Sequence, residues 1–248
     1  MLGAHPQPPH AHTMSTFVLV HGAWGGAHGF RHLRQRLQAA GHQVFTPSLT
    51  GIGERVHLAS PQVGLGTHVR DVVNQVLYED LQGIVLLGFS YGGFVVTGAL
   101  EHLADRVQHL VYLDAFVPAS GESVWGHLRG ERREPITLGQ DWLINGPARD
   151  FDDPAEAAWM APRRTPQPRG CFTEPVHLAQ PLESYPFSRS YIKATAAPAD
   201  DPGNQAFWKA ARHAQATPGW RYHEIATNHM VANNRPDELA AILLDLVR

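Results

Sequence analysis

Four things are scarce in this chain of 248 residues: cysteine, lysine, charge of one sign and long apolar runs. The one cysteine, Cys171, excludes an internal disulfide, and its place in a Pro- and Arg-rich stretch reads as an incidental thiol. Lys193 and Lys209 are the only lysines, no basic run exists and the formal charge is −3, which argues against a nucleic-acid surface. No apolar stretch reaches the ~18 residues that a membrane span needs. Residues 1–14 lack the basic and apolar regions of a secretory signal. They are rich in His and Pro and are expected to form a disordered tail, with Met14 a candidate natural start and His5, His10 and His12 solvated. A cytoplasmic location is the resulting expectation. Hydrophobic residues at 43% against charged residues at 17% suit one globular α/β domain with a large core.

What is present centres on residues 84–93. An apolar run of strand type, Ile84 to Leu87, ends in Gly88-Phe89-Ser90-Tyr91-Gly92, and a helical pattern over 91–104 follows at once. That is G-x-S-x-G between a strand and a helix, the setting of a nucleophile elbow. A strand reversing straight into a helix strains its central residue, and bulk two positions either side would collide. Upstream, residues 16–20 form a strand running into His21-Gly22-Ala23-Trp24, then a helix over 27–40 and a short strand over 43–46. Residues 48–66 have no clear period. Thr67 is expected to cap a helix ending near Glu79. Downstream, strand 108–113 closes on Asp114.

From 117 to 189 the pattern breaks. This stretch holds ten of the nineteen prolines together with Trp125, Trp142 and Trp159. Strands at 190–195 and 221–225 and helices at 204–214 and 236–248 then resume the alternation. The expected architecture is a mainly parallel sheet with helices on both faces: a core of residues 15–116 and 190–248, with 117–189 inserted as a cap over the strand ends.

A serine hydroxyl needs a base to take its proton, so the elbow requires a late histidine. Among sixteen histidines, His229 alone follows the last strand on a loop before the final helix. The third member must accept the imidazole N–H. Asp114, at the tip of an otherwise apolar strand, is preferred because a rigid element orients it. Asp200 and Asp201 are the alternatives, with a solvated turn as their plain reading. Two backbone amides must meet the developing oxyanion; Tyr91, at a helix N-terminus, supplies one and Ala23, in the loop after the first strand, the other. Trp24, Trp125, Trp142 and Trp159 are candidates for an apolar, aromatic substrate pocket. Arg55, His57, Arg163 and Arg164 could meet a carboxylate, although a solvated surface explains each.

His21-Gly22-Ala23-Trp24, Gly88-Phe89-Ser90-Tyr91-Gly92-Gly93, residues 111–118 and Asn228-His229-Met230 together resemble the α/β-hydrolase superfamily over roughly residues 15–248. The nearest branch holds plant methylesterases, hydroxynitrile lyases and related bacterial esterases. The resemblance implies the α/β-hydrolase fold, no metal or organic cofactor, and hole amides at positions matching Ala23 and Tyr91. In that branch the acid commonly follows the strand at 190–195, where this chain has Ala197. Cofactor-free dioxygenases of the superfamily place it after the strand ending at Leu113, which favours Asp114. The expected activity is hydrolysis of a small carboxylic ester, apolar or aromatic, through an acyl-enzyme on Ser90. A hydroxynitrile lyase, a cofactor-free dioxygenase and a non-catalytic binding protein are the alternatives. The lyase is disfavoured because no lysine neighbours His229 in the sequence. No nucleic-acid or membrane partner is expected, and a homodimer is the oligomer to test.

Overall fold

Alternation of apolar residues along each strand decides how this sheet is covered. In β1 (Thr16–Val20) the side chains of Phe17 and Leu19 join one buried cluster, and those of Val18 and Val20 join the other. A strand apolar at every position is buried on both faces, as a parallel sheet sandwiched between helices demands. The computed structural model describes residues 14–129, 142–201 and 203–248. The tail expected at 1–14 lies outside them except for Met14.

From β1 the chain runs through α1 (Arg31–Ala39) to β2 (Gln43–Phe45), then α2 (Leu65–Tyr78), β3 (Ile84–Phe89), α3 (Gly92–Leu103) and β4 (Val107–Leu113). The segment that follows carries α4 (Val124–Arg129), β5 (Leu143–Ile144), α5 (Pro154–Met160), β6 (Gln167–Pro168) and α6 (Gly170–Thr173). The core sequence then resumes with β7 (Ser188–Ala194), α7 (Gln205–Ala216), β8 (Trp220–Ile225), α8 (Val231–Asn234) and α9 (Pro236–Asp245). Six strands pair in parallel in the order β2-β1-β3-β4-β7-β8. Helices α2, α3 and α7 cover one face; α1, α8 and α9 cover the other. The order reverses between β1 and β3, and in such sheets ligands bind outside the carboxyl ends of the strands at that switch point.

The segment between β4 and β7 contributes a small antiparallel ribbon, β5 with β6. It is bonded to the loops around the switch point. Trp24 Nε1 donates to Ile144 O (2.8 Å), Trp24 N to Gln167 Oε1 (3.1 Å) and Thr165 N to Trp24 O (3.1 Å). On the other side, Asn228 Nδ2 donates to Asp150 O (3.1 Å) and Asn233 Nδ2 to Glu156 Oε1 (2.7 Å). β7 begins two residues before the return to the core expected at Ser190.

Two local expectations change. Thr67 does not cap α2, which starts at Leu65 with Gly64 in the cap position. The Glu174 carboxylate accepts from Gly66 N (2.9 Å) and crowds the place a Gly64 Cβ would take, so the acceptor for the free amide arrives from 108 residues away. Residues 27–30 form a 3-10 turn rather than the first turn of α1.

Candidate active site

The elbow is built by close approach. A Cβ on Gly88 would stand 2.6 Å from Gly92 O, and one on Gly92 2.6 Å from Val20 O, so strand, turn and helix pack backbone to backbone. Ser90 is held between them at φ 55°, in the left-handed region that non-glycine residues adopt only under constraint. Its N–H donates to Leu113 O (3.2 Å), and its carbonyl accepts from Gly93 N (3.1 Å) and Phe116 N (3.3 Å). Asp114, one residue past β4, also has positive φ, at 39°, and its N–H donates to Ile192 O (2.7 Å).

These constraints bring three side chains into line. Ser90 Oγ lies 2.9 Å from His229 Nε2, and His229 Nδ1 lies 2.7 Å from Asp114 Oδ2. The imidazole is wedged between the rings of Phe89 and Phe207, with centroids 4.8 and 4.9 Å away. With Nδ1–H donated to the carboxylate, Nε2 is left to accept from the hydroxyl. Burial holds His229 below the ordinary imidazole range; Asp114 opposes this, and the nearby Arg149 and Lys193 charges add to it. For Asp114, burial works to raise the carboxyl, and the His229 hydrogen bond and charge together with Lys193 outweigh it, so the net shift is downward. Asp200 and Asp201 are exposed, and Asp201 instead accepts from Gly203 N (3.0 Å) and Asn204 Nδ2 (2.6 Å) in the turn before α7.

Ala23 and Tyr91 both border the same cavity as Ser90, and among the described residues neither amide N–H has an acceptor. Gly22 lets the first loop approach Ser90, since its Cβ would meet Ser90 Cβ at 3.0 Å. Two buried histidines fix these walls. His21 Nδ1 donates to Gly22 O (2.9 Å) while its Nε2 accepts from Leu49 N (3.1 Å). His68 Nδ1 meets Tyr91 Oη (2.9 Å) and its Nε2 meets Thr50 O (2.8 Å). A buried imidazole bonded this way looks on a sequence like any of sixteen histidines, which is why neither was singled out for that role.

The cavity beside Ser90 has a volume of about 450 Å³ and walls that include Trp24, Phe116, Trp125, Ile144, Phe172 and Phe207. A narrower space on the far side of Ser90 is bordered by Phe30, Met160, Arg149, Arg164 and Met230. Trp24 and Trp125 thus reach the cavity. Trp142 and Trp159 border neither space. Trp159 is instead stacked between the Arg31 and Arg163 guanidiniums, 3.6 and 3.9 Å from its ring centroid, and Trp142 leads into the ribbon, its carbonyl accepting from Arg169 N (2.8 Å). Arg55 pairs with Ser48 O and Asp71, and His57 is exposed. Arg164 donates to Pro147 O (3.0 Å). Arg149 was not singled out from the sequence, because it sits in a stretch with no period.

No lysine neighbours His229 in the sequence, but the fold brings one to its aspartate partner. Lys193, wholly buried on β7, donates to Asp114 Oδ1 (2.6 Å), directly behind the histidine. Sequence neighbours miss it because β7 and β4 meet only through the sheet. Burial pushes the Cys171 thiol up to about 12, in keeping with an inert side chain. Among the described residues no group of three or more His, Cys, Asp or Glu is placed to hold a metal, and no helix is long and apolar enough to cross a membrane.

The model of the alpha/beta hydrolase family matches residues 17–242. A carbendazim-hydrolysing esterase from a Nocardioides species (strain SG-4G) is 35% identical over 94% of this chain and 100% of its own length. An alpha-hydroxynitrile lyase of Arabidopsis thaliana is 32% identical over 41% of this chain and 40% of that one. Among solved structures, a methylesterase from Arabidopsis superposes with a TM-score of 0.75 at 24% identity, covering 94% of this chain and 99% of the other. With a family match over nearly its whole length and a full-length relative above 30% identity, the chain belongs to the alpha/beta hydrolase family.

Proposed function

We propose that this enzyme, a carboxylesterase-type member of the family, cleaves small carboxylic esters in two steps through an acyl-enzyme on Ser90. The observation that carries the reading is the unbroken hydrogen-bond chain Ser90–His229–Asp114 opening onto an apolar cavity. His229 Nε2 takes the hydroxyl proton as Ser90 Oγ attacks the carbonyl, and Asp114 holds the imidazole in the tautomer that can accept it. The oxyanion of the tetrahedral intermediate is received by the amides of Ala23 and Tyr91. His229 then returns the proton to the leaving alcohol, and a water activated by the same nitrogen releases the acid. Two spaces meeting at Ser90 suit the two halves of an ester, with the aromatic walls of the larger, Trp24 and Trp125 among them, favouring an apolar or aryl group. Carbendazim, named in the full-length relative, belongs in the substrate panel.

The lyase reading gains nothing from Lys193. Its ammonium faces the back of Asp114 and it borders neither space at Ser90, so it cannot reach a cyanide leaving group there.

The test is turnover of p-nitrophenyl acetate and butyrate, methyl aryl esters and carbendazim by wild type and Ser90→Ala. Loss of about 10⁴-fold or more in kcat on removing Ser90 is expected, with stoichiometric labelling of wild-type Ser90 by a fluorophosphonate. Turnover indifferent to Ser90 would overturn the acyl-enzyme and leave His229 acting without it.

A further inference from the structure

We propose that Lys193 is a positioning residue for this hydrolysis: it locks the Asp114 carboxylate in place and offsets its charge, so that His229 remains a neutral base further into acid than a lone aspartate–histidine pair allows. The inference rests on the reading of Ser90, His229 and Asp114 as the reacting set.

The geometry accounts for every polar atom. Asp114 Oδ2 serves His229, while Oδ1 takes Lys193 Nζ at 2.6 Å and Ala194 N at 3.3 Å. Without the lysine, Oδ1 would keep only the longer amide bond, and the carboxylate would be free to rotate off the histidine. Lys193 Nζ spends its other donors on Ala194 O (2.6 Å) and on the face of Trp208, 4.6 Å from the ring centroid. Lysine and aspartate are 0% and 1% exposed, so water screens neither. A buried ion pair is weak evidence for stability, because apolar side chains of similar volume often pack as well or better. Its effect on the neighbouring base is therefore the stronger account of its presence.

The electrostatics have a definite sign. An imidazolium beside a lone carboxylate is stabilised, which raises the pH at which the base is protonated. Here the carboxylate already has a cation on its other oxygen, so less of its field is left for His229. The other groups facing this cluster are few. Arg149, from the segment before α5, adds a second positive charge near His229. Tyr191 and Tyr222 feel the Asp114 charge but are held uncharged by burial. Ser90 is the acceptor-side neighbour, and Phe89 and Phe207 are apolar.

The experiment pairs the pH profile of kcat/KM, whose acid limb reports the base of the free enzyme, with an NMR titration of the His229 ring. The His229 signal is assigned by its loss in His229→Gln. In Lys193→Met both the limb and the ring titration are expected to move up by about one pH unit or more. Lys193→Arg, which keeps the cation, is expected to hold both near wild type while lowering kcat. An unmoved limb and an unmoved titration in Lys193→Met, with loss only of stability or kcat, would make the lysine merely structural and overturn the proposal. If the Met variant does not fold, Lys193→Gln, which removes the charge but keeps a neutral polar side chain, decides: a limb and ring titration both raised above wild type support the proposal, and both unmoved overturn it. The ring titration needs no turnover, so it can fail while Ser90→Ala still establishes the nucleophile, and the reverse.

Discussion

A carboxylate that is 1% exposed stays ionised only where donors surround it, and Asp114 has three: His229, Lys193 and Ala194 N. Asp114→Asn is accordingly expected to lower kcat by about 10⁴-fold, through loss of the correct histidine tautomer. It also strips Lys193 of its counter-charge, so its melting temperature should fall, and the rate comparison belongs well below that temperature. Asp200→Ala should change neither, because that side chain is exposed and His229 Nδ1 is already engaged by Asp114. A large rate loss in Asp200→Ala beside an active Asp114→Asn would reverse the assignment. The grouping of Ser90, His229 and Asp114 could be read from the sequence because each follows a strand at a fixed place in a βα succession. Lys193, Arg149 and His68 could not, since their partners lie across the sheet or in a segment without periodicity. The tryptophans were half legible: composition announces aromatic surface, but only packing shows that Trp159 serves as a platform for Arg31 and Arg163.

Elements come together here through glycines that are spacers more than hinges. Gly88 and Gly92 sit where β3, α3 and the end of β1 touch, and an added methyl at Gly88 would also press on Val96 Cγ2 at 2.7 Å. Backbone atoms cannot swing aside as a flexible side chain can, so α3 must lift from the sheet and carry Ser90 with it. Gly88→Ala is expected to cost about 3 kcal/mol, the upper part of the range for overpacking, and to abolish most turnover even where the protein folds. Gly29→Ala is the control for stability, because nothing lies within 4 Å of its added methyl. Equal melting temperatures for the two variants would refute the close-packing account. The strands and the elbow helix were legible because apolar runs and G-x-S-x-G are local signals. The start of α2 was not, because its acceptor, Glu174, reaches Gly66 from a segment far along the chain.

At the scale of the whole molecule, three histidines buried between elements bind its stability to pH. His21, His68 and His109 are each pushed down to about 4, in every case chiefly by burial. Each also spends both ring nitrogens on neighbours: His21 on Gly22 O and Leu49 N, His68 on Tyr91 Oη and Thr50 O, His109 on Ser190 Oγ and Ser188 Oγ. For His21 the conflict on protonation is explicit, since Nε2 accepts from an amide N–H and a second proton there would face a donor. Unfolded, these rings bind protons near ~6.5; folded, they resist until about 4. A folded-state value below the unfolded one means the unfolded chain takes up more protons in that window. Their contribution is therefore complete above about 6.5 and is lost as pH falls toward 4. The slope is ~1.4 kcal/mol per pH unit for each fully titrating group, or ~4 for the three together. Glu54, lowered to about 2, adds its own loss as pH falls through the ordinary carboxylate value, so the upper part of this window belongs to the histidines. Urea unfolding at pH 7.5, 6.5, 5.5 and 4.5 should show a plateau above 6.5 and a steep decline beneath it, and His68→Gln should lower the slope by up to ~1.4 kcal/mol per pH unit. A flat profile between 6.5 and 4.5 would mean that these rings take up protons in the fold as readily as in the unfolded chain. Because His21 braces the Ala23 loop and His68 braces Tyr91, the same decline would loosen both walls of the proposed oxyanion site. An acid limb assigned to His229 must therefore be read only at pH values where urea unfolding shows the protein still folded without denaturant, and checked against the ring titration.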